Sequence, residues 1–485
     1  MSRLHLYLPV GLMFSTVAAG CVQNPDESGT KEPTDGFPTY AVNEAAGAPS
    51  LPYQVCDSTS ADLNNDGTLD FVAANHINPG FGYFMTLPGE LLRFGQGQSV
   101  DFVAGGNSAG IIAVDLNADG KLDVANSDHE GIVTVRMNAT PDGAGIDGVV
   151  FPEEGETNVG LSVDHGPEFG IAGVEGGLVS ADFNGDGKPD IATSNLGTNA
   201  LGDYSASVIL GQTEPGATVS TFGEVQYILL PSAAISIDLG DFNNDGLPEF
   251  VTTNTEDGSI SVMTNRTETG AEVVNFEQLN YTIPAGSNPY GAGPTNPVVA
   301  DFNGDGWADI ATANWNVMNV AVYINTTTTA GDTPSFADPV MIEGLDLNPL
   351  LVRAADLDGD GDNDIVVIPL AMNSGAAMAV IENETEGDNV SFAVVEVYPL
   401  PEVMRETFPY AWFTTAGNVS DFDGDGELDI AVAVARASFT LEAFELLPTD
   451  NVMGYIDPDI PVEVIDEFLP QDSQLVAYEK VVVPE

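Results

Sequence analysis

Basic residues are scarce in this chain, whose 485 residues include 11 Lys and Arg but 74 Asp and Glu, for a formal net charge of −63. A surface this acidic repels the phosphates of nucleic acid and of anionic lipid head groups. It also repels itself unless salt or bound cations screen the charge. We therefore expect no nucleic-acid partner and no direct adsorption to an anionic membrane.

Catalytic motifs and cysteines are also few. The sequence has no Gly-x-Ser-x-Gly turn around a nucleophilic serine, no phosphate-binding loop and no zinc-binding helix motif. It has two cysteines, so a network of disulfides cannot be the main source of stability. Hydrophobic residues make up 43% of the chain, which argues against disorder. We expect a folded protein that is not an enzyme and predict no catalytic residue.

The N-terminal residues 1–20 have the features of a secretory signal, with Arg3 ahead of a short apolar segment over Leu6–Val17. That segment is too short to span a membrane. It ends at Ala18-Ala19-Gly20-Cys21, which resembles a bacterial lipobox and implies lipidation of Cys21. Residues 21–37 are polar and contain Pro, Gly and charge, so we expect a flexible, lipid-anchored tether.

This interpretation places the protein outside the cytoplasm, anchored to a membrane through Cys21, in the outer membrane or at the cell surface of a bacterium. The alternative is ordinary signal cleavage that leaves a soluble protein. In that case Cys21 could form a disulfide with Cys56 in an oxidising compartment, whereas a lipidated Cys21 could not.

A nine-residue acidic pattern, Asp-x-(Asn/Asp)-x-Asp-Gly-x-x-(Asp/Glu), recurs along the chain roughly 60 residues apart. The seven copies, numbered here as acidic loops 1 to 7, begin at Asp62, Asp115, Asp182, Asp241, Asp301, Asp356 and Asp421. Oxygen side chains stand at positions 1, 3, 5 and 9, and Gly at position 6 permits a sharp turn. Hard oxygen donors at alternate positions suit Ca²⁺ better than Mg²⁺, which keeps several waters. Two carboxylates about 4 Å apart repel by about 4 kcal/mol at an effective dielectric near 20, so their convergence requires a cation.

We predict up to seven Ca²⁺ ions, each held by the side chains at positions 1, 3, 5 and 9 and by the backbone carbonyl at position 7. The residues at these positions are Asp62, Asn64, Asp66, Thr68, Asp70, Asp115, Asn117, Asp119, Lys121, Asp123, Asp182, Asn184, Asp186, Lys188, Asp190, Asp241, Asn243, Asp245, Leu247, Glu249, Asp301, Asn303, Asp305, Trp307, Asp309, Asp356, Asp358, Asp360, Asp362, Asp364, Asp421, Asp423, Asp425, Glu427 and Asp429. The alternative is a row of solvated Asp/Gly turns without metal.

An EF-hand loop shares the first six positions of this pattern but requires Glu at position 12. Position 12 here is Ala73, Asn126, Thr193, Thr252, Thr312, Val367 or Val432. Short β-prone runs such as Ile365–Val367, rather than helices, follow position 9. The pattern therefore indicates a loop between two strands.

The repeat resembles the FG-GAP/VCBS repeat of integrin α-subunit propellers and of many bacterial surface proteins. The resemblance is carried by segments such as Ala181–Thr193 and extends over residues 39–450. The Phe-Gly and Gly-Ala-Pro ends of the repeat are poorly kept, with Phe169-Gly170 a partial case, so the bacterial variant is closer. The resemblance implies an all-β fold: a seven-bladed β-propeller over residues 38–485, with four-stranded blades and a Ca²⁺ loop between the first two strands of each.

The flanking sequence agrees with this fold. Pro297–Ala300 can form the strand before an acidic loop, Ile260–Met263 a third strand and Tyr281–Ile283 a fourth. For ring closure, Thr39–Val42 could supply the fourth strand of the last blade. The C-terminal run Leu475–Tyr478 or Val481–Val483 could do so instead.

Aromatic residues occur in the loops expected at the end opposite the acidic loops, and loops on a rigid scaffold are where ligands usually bind. The residues of this predicted ligand face are Tyr204, Tyr290, Trp315, Tyr410 and Trp412. We expect a surface for a protein or glycan partner, used in adhesion or ligand binding. One alternative is a polysaccharide lyase or hydrolase, for which Arg353, Arg405 and Arg436 are the candidate cations of a central funnel. Another is a purely structural scaffold of the cell envelope.

Overall fold

The computed structural model describes residues 39–42, 50–51, 55–75, 79–87, 92–103, 105–106, 108–128, 130–161, 163–164, 177–286, 288, 291–345, 347–369, 376–387, 389–399, 410–438 and 472–481. The predicted signal segment, Cys21, the tether, Tyr290 and Arg405 lie outside these residues. No helix in the described part of the chain is long and apolar enough to cross a membrane.

The described strands form seven antiparallel sheets. Two short strands come first, β1 (Thr39–Val42) and β2 (Ser50–Leu51). Sheets 1 to 6 follow in chain order, each built from one continuous segment. Sheet 1 contains β3 (Val55–Ala61), β4 (Asp70–Asn75), β5 (Gly80–Phe84) and β6 (Gln98–Asp101); sheet 2 contains β7 (Ser108–Val114), β8 (Asp123–Asp128), β9 (Ile132–Arg136) and β10 (Thr157–Gly160). Sheet 3 contains β11 (Val163–Asp164), β12 (Leu178–Ala181), β13 (Asp190–Asn199), β14 (Tyr204–Gly211) and β15 (Phe222–Leu229).

The next three sheets have the same four-stranded order. Sheet 4 contains β16 (Ala234–Gly240), β17 (Glu249–Asn254), β18 (Ser259–Asn265) and β19 (Phe276–Thr282); sheet 5 contains β20 (Pro294–Ala300), β21 (Asp309–Asn314), β22 (Asn319–Tyr323) and β23 (Val340–Ile342). Sheet 6 contains β24 (Pro349–Ala355), β25 (Asp364–Pro369), β26 (Ala376–Asn383) and β27 (Phe392–Pro399). Short 3-10 helices span Ile146–Gly148, Glu153–Gly155 and Trp315–Val317.

Sheet 7 joins the two ends of the chain. Its strands β28 (Tyr410–Ser420), β29 (Asp429–Ser438) and β30 (Asp472–Val481) are followed by β1, in which Thr39 pairs with Val481. Strand β2 pairs with the other end of β30, so that β1 and β2 share the fourth row. The N-terminal run Thr39–Val42 therefore supplies the fourth row, as the first alternative predicted. The second alternative is wrong, because the C-terminal strand β30 forms the third row. Sheet 3 is split in the same way, since β11 and β12 both pair with β13.

The first strands of neighbouring sheets pack against one another, from β3 through β7, β12, β16, β20 and β24 to β28 and back to β3. The return contact is direct, since the Ser420 and Ser60 hydroxyls are 2.9 Å apart and the Leu69 N–H donates to the Phe422 carbonyl. Apolar clusters fill the spaces between adjacent sheets, such as Phe302 with Val367 and Phe183 with Phe250. The predicted all-β propeller with four-stranded blades is confirmed, and the first strands surround its axis.

The second strands explain why the repeats are rich in small and β-branched residues. Every residue of β4, β8, β17, β21 and β25 is buried. A strand covered on both faces favours Val, Ile and Ala over an alternating pattern. Cys56 lies in the same kind of environment, where its Sγ donates to the carbonyls of Ser108 and Ala109. Its thiol is buried.

Candidate metal centres and ligand face

All seven acidic loops join the first and second strands of a sheet, and all lie at the same end of those strands. The carboxylate at position 9 begins the second strand in each sheet and is buried, whereas positions 4 to 6 are exposed. This is the strand–loop–strand arrangement that the flanking sequences predicted. It places positions 1, 3, 5 and 9 of each loop within one short segment of the chain.

The backbone of each loop has two left-handed residues. The glycines at position 6 have φ between 84° and 101°, as in Gly187 at 85° and Gly361 at 101°. Position 4 is also left-handed, in non-glycine residues as well: Asn65 and Ala118 have φ of 53° and Asn244 of 51°. The sequence predicted the left-handed conformation of Gly at position 6 but not that of position 4, because Ala and Asn at position 4 do not require positive φ.

Backbone N–H groups hold the acidic side chains of each loop in one arrangement. In loop 4, Asp241 accepts from the N–H groups of Asp245 (3.1 Å) and Gly246 (2.9 Å), and Asp245 accepts from the Leu247 N–H (2.9 Å). The Asn243 Oδ1 accepts from the Asp245 N–H at 3.0 Å. The bonds from position 6 to position 1 and from position 7 to position 5 recur in all seven loops.

Carboxylate oxygens converge most closely in loops 6 and 7. In loop 6 one oxygen from each of Asp356, Asp358 and Asp364 lies within 4.8 Å of the others. In loop 7 the same is true of Asp421, Asp423 and Asp425. These two loops have Asp at position 3, where the other five have the neutral oxygen donor Asn. The donor set is all oxygen, which fits Ca²⁺ in chemistry and in number of protein ligands.

Burial of the position 9 carboxyl opposes its ionisation. Burial raises the pKa of Asp70, Asp123, Asp190, Asp309 and Asp364 to about 7 and that of Glu249 to about 8. Backbone N–H donors at position 2, and at the end of the third strand or just after it, lower these pKa values, and the acids nearby in each loop raise them again. The pKa of Asp358 and of Asp423 is likewise raised, first by burial and then by adjacent carboxylates. A divalent cation would reverse this electrostatic cost.

Each of the first four acidic loops is also bonded to the following sheet. The position 3 carbonyl accepts from a glycine N–H in the loop between the third and fourth strands of that sheet: Asn64 from Gly143 at 2.6 Å, and Asn243 from Gly331 at 2.8 Å. Equivalent bonds join Asn117 to Gly216 and Asn184 to Gly270. Ordering of one acidic loop is therefore coupled to the next sheet.

A second set of hydrogen bonds between sheets comes from an asparagine side chain at the end of the third strand or just after it. The sequence pattern had not singled out this asparagine. Asn325 donates to the carbonyl of Phe242 in loop 4 (2.8 Å) and to that of Ala308 in loop 5 (2.9 Å). The residues in this position are Asn138, Asn265, Asn325 and Asn383, each with the same pair of bonds. We name these four residues the asparagine clasp. Its signal in the sequence is the recurrence of Asn after the third strand.

The described residues of the predicted ligand face lie at the end opposite the acidic loops. Tyr204 begins the third strand of sheet 3, is half-buried, and its hydroxyl lies 3.3 Å from a carboxylate oxygen of Glu256. Trp315 lies in the 3-10 helix between the second and third strands of sheet 5 and is half-buried. Tyr410 and Trp412 lie at the start of β28, where Trp412 pairs with Arg436. The structure thus places these four residues at one end of the ring, in three different sheets.

Comparison with known proteins supports the repeat assignment. The FG-GAP-like repeat family matches residues 62–125, 182–252, 241–312 and 301–367, together more than half of the chain. No curated protein sequence matches the chain. Among solved structures, a candidate 6-phosphogluconolactonase from Bacteroides fragilis has a TM-score of 0.48 and 12% identity, over 78% of this chain and 97% of its own.

Two further solved structures are similar at the same low level. A candidate 6-phosphogluconolactonase from Bacteroides uniformis has a TM-score of 0.44 and 11% identity, over 75% of this chain and 93% of its own. Raptor from Chaetomium thermophilum has a TM-score of 0.43 and 9% identity, over 92% of this chain and 30% of its own. We draw no functional conclusion from similarities this weak. The family match, together with the seven acidic loops, establishes that the chain belongs to the FG-GAP-like repeat family.

Proposed function

We propose that this protein is a calcium-stabilised β-propeller that binds a protein or glycan partner outside the cytoplasm. The observation that carries the proposal is the separation of two ends: the acidic loops share one end of the ring, and Tyr204 and Trp315 lie at the other. A scaffold fixed by metal at one end leaves the loops of the other free to vary for binding. The seven sheets, closed by the composite sheet 7, support a seven-bladed ring.

Calcium is proposed because the acidic loops hold oxygen donors of the right kind in a fixed arrangement. The side chains at positions 1, 3, 5 and 9 and the carbonyl at position 7 would hold the ion, which would neutralise their mutual repulsion. Ca²⁺ binding to the folded state alone would contribute about 2.7 kcal/mol per site at a free concentration of 100 Kd. The protein would therefore lose stability when calcium is removed.

The calcium proposal is tested by thermal unfolding of the full-length protein with excess Ca²⁺, with a chelator, and with Mg²⁺ in place of Ca²⁺. We expect chelation to lower Tm by many degrees and Ca²⁺, but not Mg²⁺ at the same concentration, to restore it. A melting curve that does not change on chelation would exclude a stabilising role for the metal.

The location is proposed from the N-terminal sequence, in which Cys21 follows a segment with the features of a secretory signal. Lipidation there would anchor the ring to a bacterial membrane through the tether of residues 21–37. Detergent-phase partitioning of the wild-type protein and of the Cys21→Ser variant, both expressed in a bacterial host, tests this. We expect the wild type in the detergent phase and the variant in the aqueous phase; wild type in the aqueous phase would favour a released, soluble protein.

A polysaccharide-active enzyme on the same scaffold is the second candidate, and one observation favours it. Arg353 lies on the first strand of sheet 6, and its charge interacts with the carboxylates of Asp57 and Asp238 on the first strands of sheets 1 and 4. A cation and two carboxylates therefore lie near the axis, where that hypothesis requires them. Incubation with a broad glycan panel distinguishes the functions: retention indicates a binding protein, cleavage an enzyme, and neither a structural scaffold.

A further inference from the structure

Polar side chains from the first strands of five sheets meet near the axis. We name Asp57 (β3), Asp238 (β16), Asn296 (β20), Arg353 (β24) and Asn418 (β28) the axial cluster. The two asparagines are each 8% exposed. The three charged residues lie deep within the protein, but each keeps part of its surface accessible to solvent. Partly exposed charged groups on the innermost strands of a propeller are expected to face its central channel.

Both carboxylates of the axial cluster are held by the backbone. Asp57 accepts from its neighbour Ser58 (2.9 Å) and, through Oδ2, from the Ile111 N–H of sheet 2 (3.1 Å). Asp238 accepts from Leu239 (2.9 Å) and, through Oδ2, from the Val299 N–H of sheet 5 (2.8 Å). Each carboxylate oxygen therefore has a fixed position and retains a lone pair that can accept a further hydrogen bond.

The Arg353 guanidinium is held by amides rather than by the carboxylates. Its Nε donates to the Asn418 Oδ1 (3.3 Å), and its Nη1 donates to the Asn296 Oδ1 (3.2 Å) and to the Val352 carbonyl (3.0 Å). Among the described residues, Nη2 donates no hydrogen bond, and neither acid forms an ion pair with the guanidinium, although both interact with its charge. The Nη2 donors are therefore available to a further hydrogen-bonding group.

An unpartnered donor also lies in the axial cluster. The Asn418 Nδ2 is buried and has no hydrogen-bond partner in the described part of the chain, while the Oδ1 of the same amide contacts Arg353. The Ser58 hydroxyl, next to Asp57, is likewise buried and unpartnered. Buried polar groups are nearly always satisfied in proteins, so a ligand or water is expected to complete these bonds.

We propose that the axial cluster binds a small neutral polyhydroxylated molecule, such as one residue of a saccharide. A hydroxyl group can accept from the Arg353 Nη2 and the Asn418 Nδ2 while it donates to Asp57 or Asp238. A free carboxylate ligand would meet two fixed acids, and a cationic ligand would meet the guanidinium, so either is disfavoured. The inference deepens the proposed glycan-binding function and rests on it.

The proposal is tested by isothermal titration of the full-length, calcium-loaded protein with D-glucose, D-galactose, D-mannose, N-acetyl-D-glucosamine and sorbitol. We expect at least one of them to bind, and to bind about tenfold more weakly to Arg353→Gln and to Asn418→Ala, because each loses a hydrogen bond in an enclosed site. The matched control is Arg93→Gln, which removes an exposed arginine between β5 and β6 that is not part of the axial cluster, and it should leave the affinity unchanged.

Melting curves show which variants are folded, and Asn418→Ala decides the question if Arg353→Gln does not fold, because it removes no charge. Absence of binding by all five compounds to the folded wild type would overturn the proposal, as would equal affinity of wild type and a folded axial variant. The proposed function has a separate outcome. If polymeric glycans or a protein partner are retained equally by wild type and Arg353→Gln, the surface function stands and the axial site fails.

Discussion

Asn325→Ala is the substitution that measures the asparagine clasp apart from the metal. The Asn325 amide donates to the carbonyls of Phe242 and Ala308, and its Oδ1 accepts from the Thr327 N–H at 2.9 Å. The side chain is 2% exposed, so water cannot readily replace these bonds. Phe242 and Ala308 belong to acidic loops 4 and 5, so the substitution also uncouples two candidate metal sites.

The expected cost follows from the bonds that are lost. Three hydrogen bonds at about 1 kcal/mol net each give about 3 kcal/mol of destabilisation, and more if the carbonyls stay buried without a partner. Asn275→Ala is the matched control, because Asn275 is exposed and its amide makes one long bond, of 3.4 Å, to the Arg266 carbonyl. We expect that control to change stability by no more than about 0.5 kcal/mol.

Urea unfolding at saturating Ca²⁺, followed by tryptophan fluorescence and by circular dichroism, measures the difference. Coincident transitions from the two probes would justify a two-state treatment of a ring this large. If the dependence of the free energy of unfolding on urea concentration is the same in wild type and variant, a shifted midpoint reports a change in stability. A loss below about 1 kcal/mol for Asn325→Ala would refute the argument that these bonds hold adjacent sheets together.

Three further predictions concern charge. In calcium-free protein, carboxyls such as Asp309 have a pKa of about 7 in the folded state, so protonation favours folding and stability should fall as pH rises from about 4 to about 7. After the metal is stripped, Tm should therefore be lower at pH 8 than at pH 5. A higher Tm at pH 8 would contradict this. Asp305→Ala removes one ligand from one of the seven sites, so it should lower Tm only modestly, and a chelator should still lower Tm further. If the chelator no longer changed Tm in this variant, a single loop would account for the whole effect of the metal. Arg353→Met removes the cation near Asp57 and Asp238; burial raises the pKa of both carboxyls, to about 6 for Asp238. The decrease in Tm caused by the substitution should be larger at pH 8, where the carboxyls are ionised, than at pH 5. An equal decrease at both pH values would indicate that packing matters more than charge.

Local sequence was sufficient to predict the acidic loops and their place in the fold. The spacing of Asp301, Asn303 and Asp305, Gly at position 6 and the β-prone run from Asp309 lie within one short segment, so their geometry depends little on the rest of the chain. The order of strands within a sheet was also predictable, because sheets 1, 2, 4, 5 and 6 are meanders of four consecutive strands. Both conclusions rest on short-range physics: turn geometry, charge convergence and β propensity.

Contacts between distant segments could not be predicted in this way. The joining of β1 to β30, the clasp from Asn325 to Phe242, and the meeting of Asp57 with Arg353 depend on how sheets are placed around the ring. Polar residues in otherwise apolar first strands were the only signal of the axial cluster. The sequence alone therefore determined the repeating unit and its candidate metal chemistry, since these depend on neighbours in the chain. Tertiary structure decided which side chains face one another across the axis, because that depends on distances no local pattern encodes.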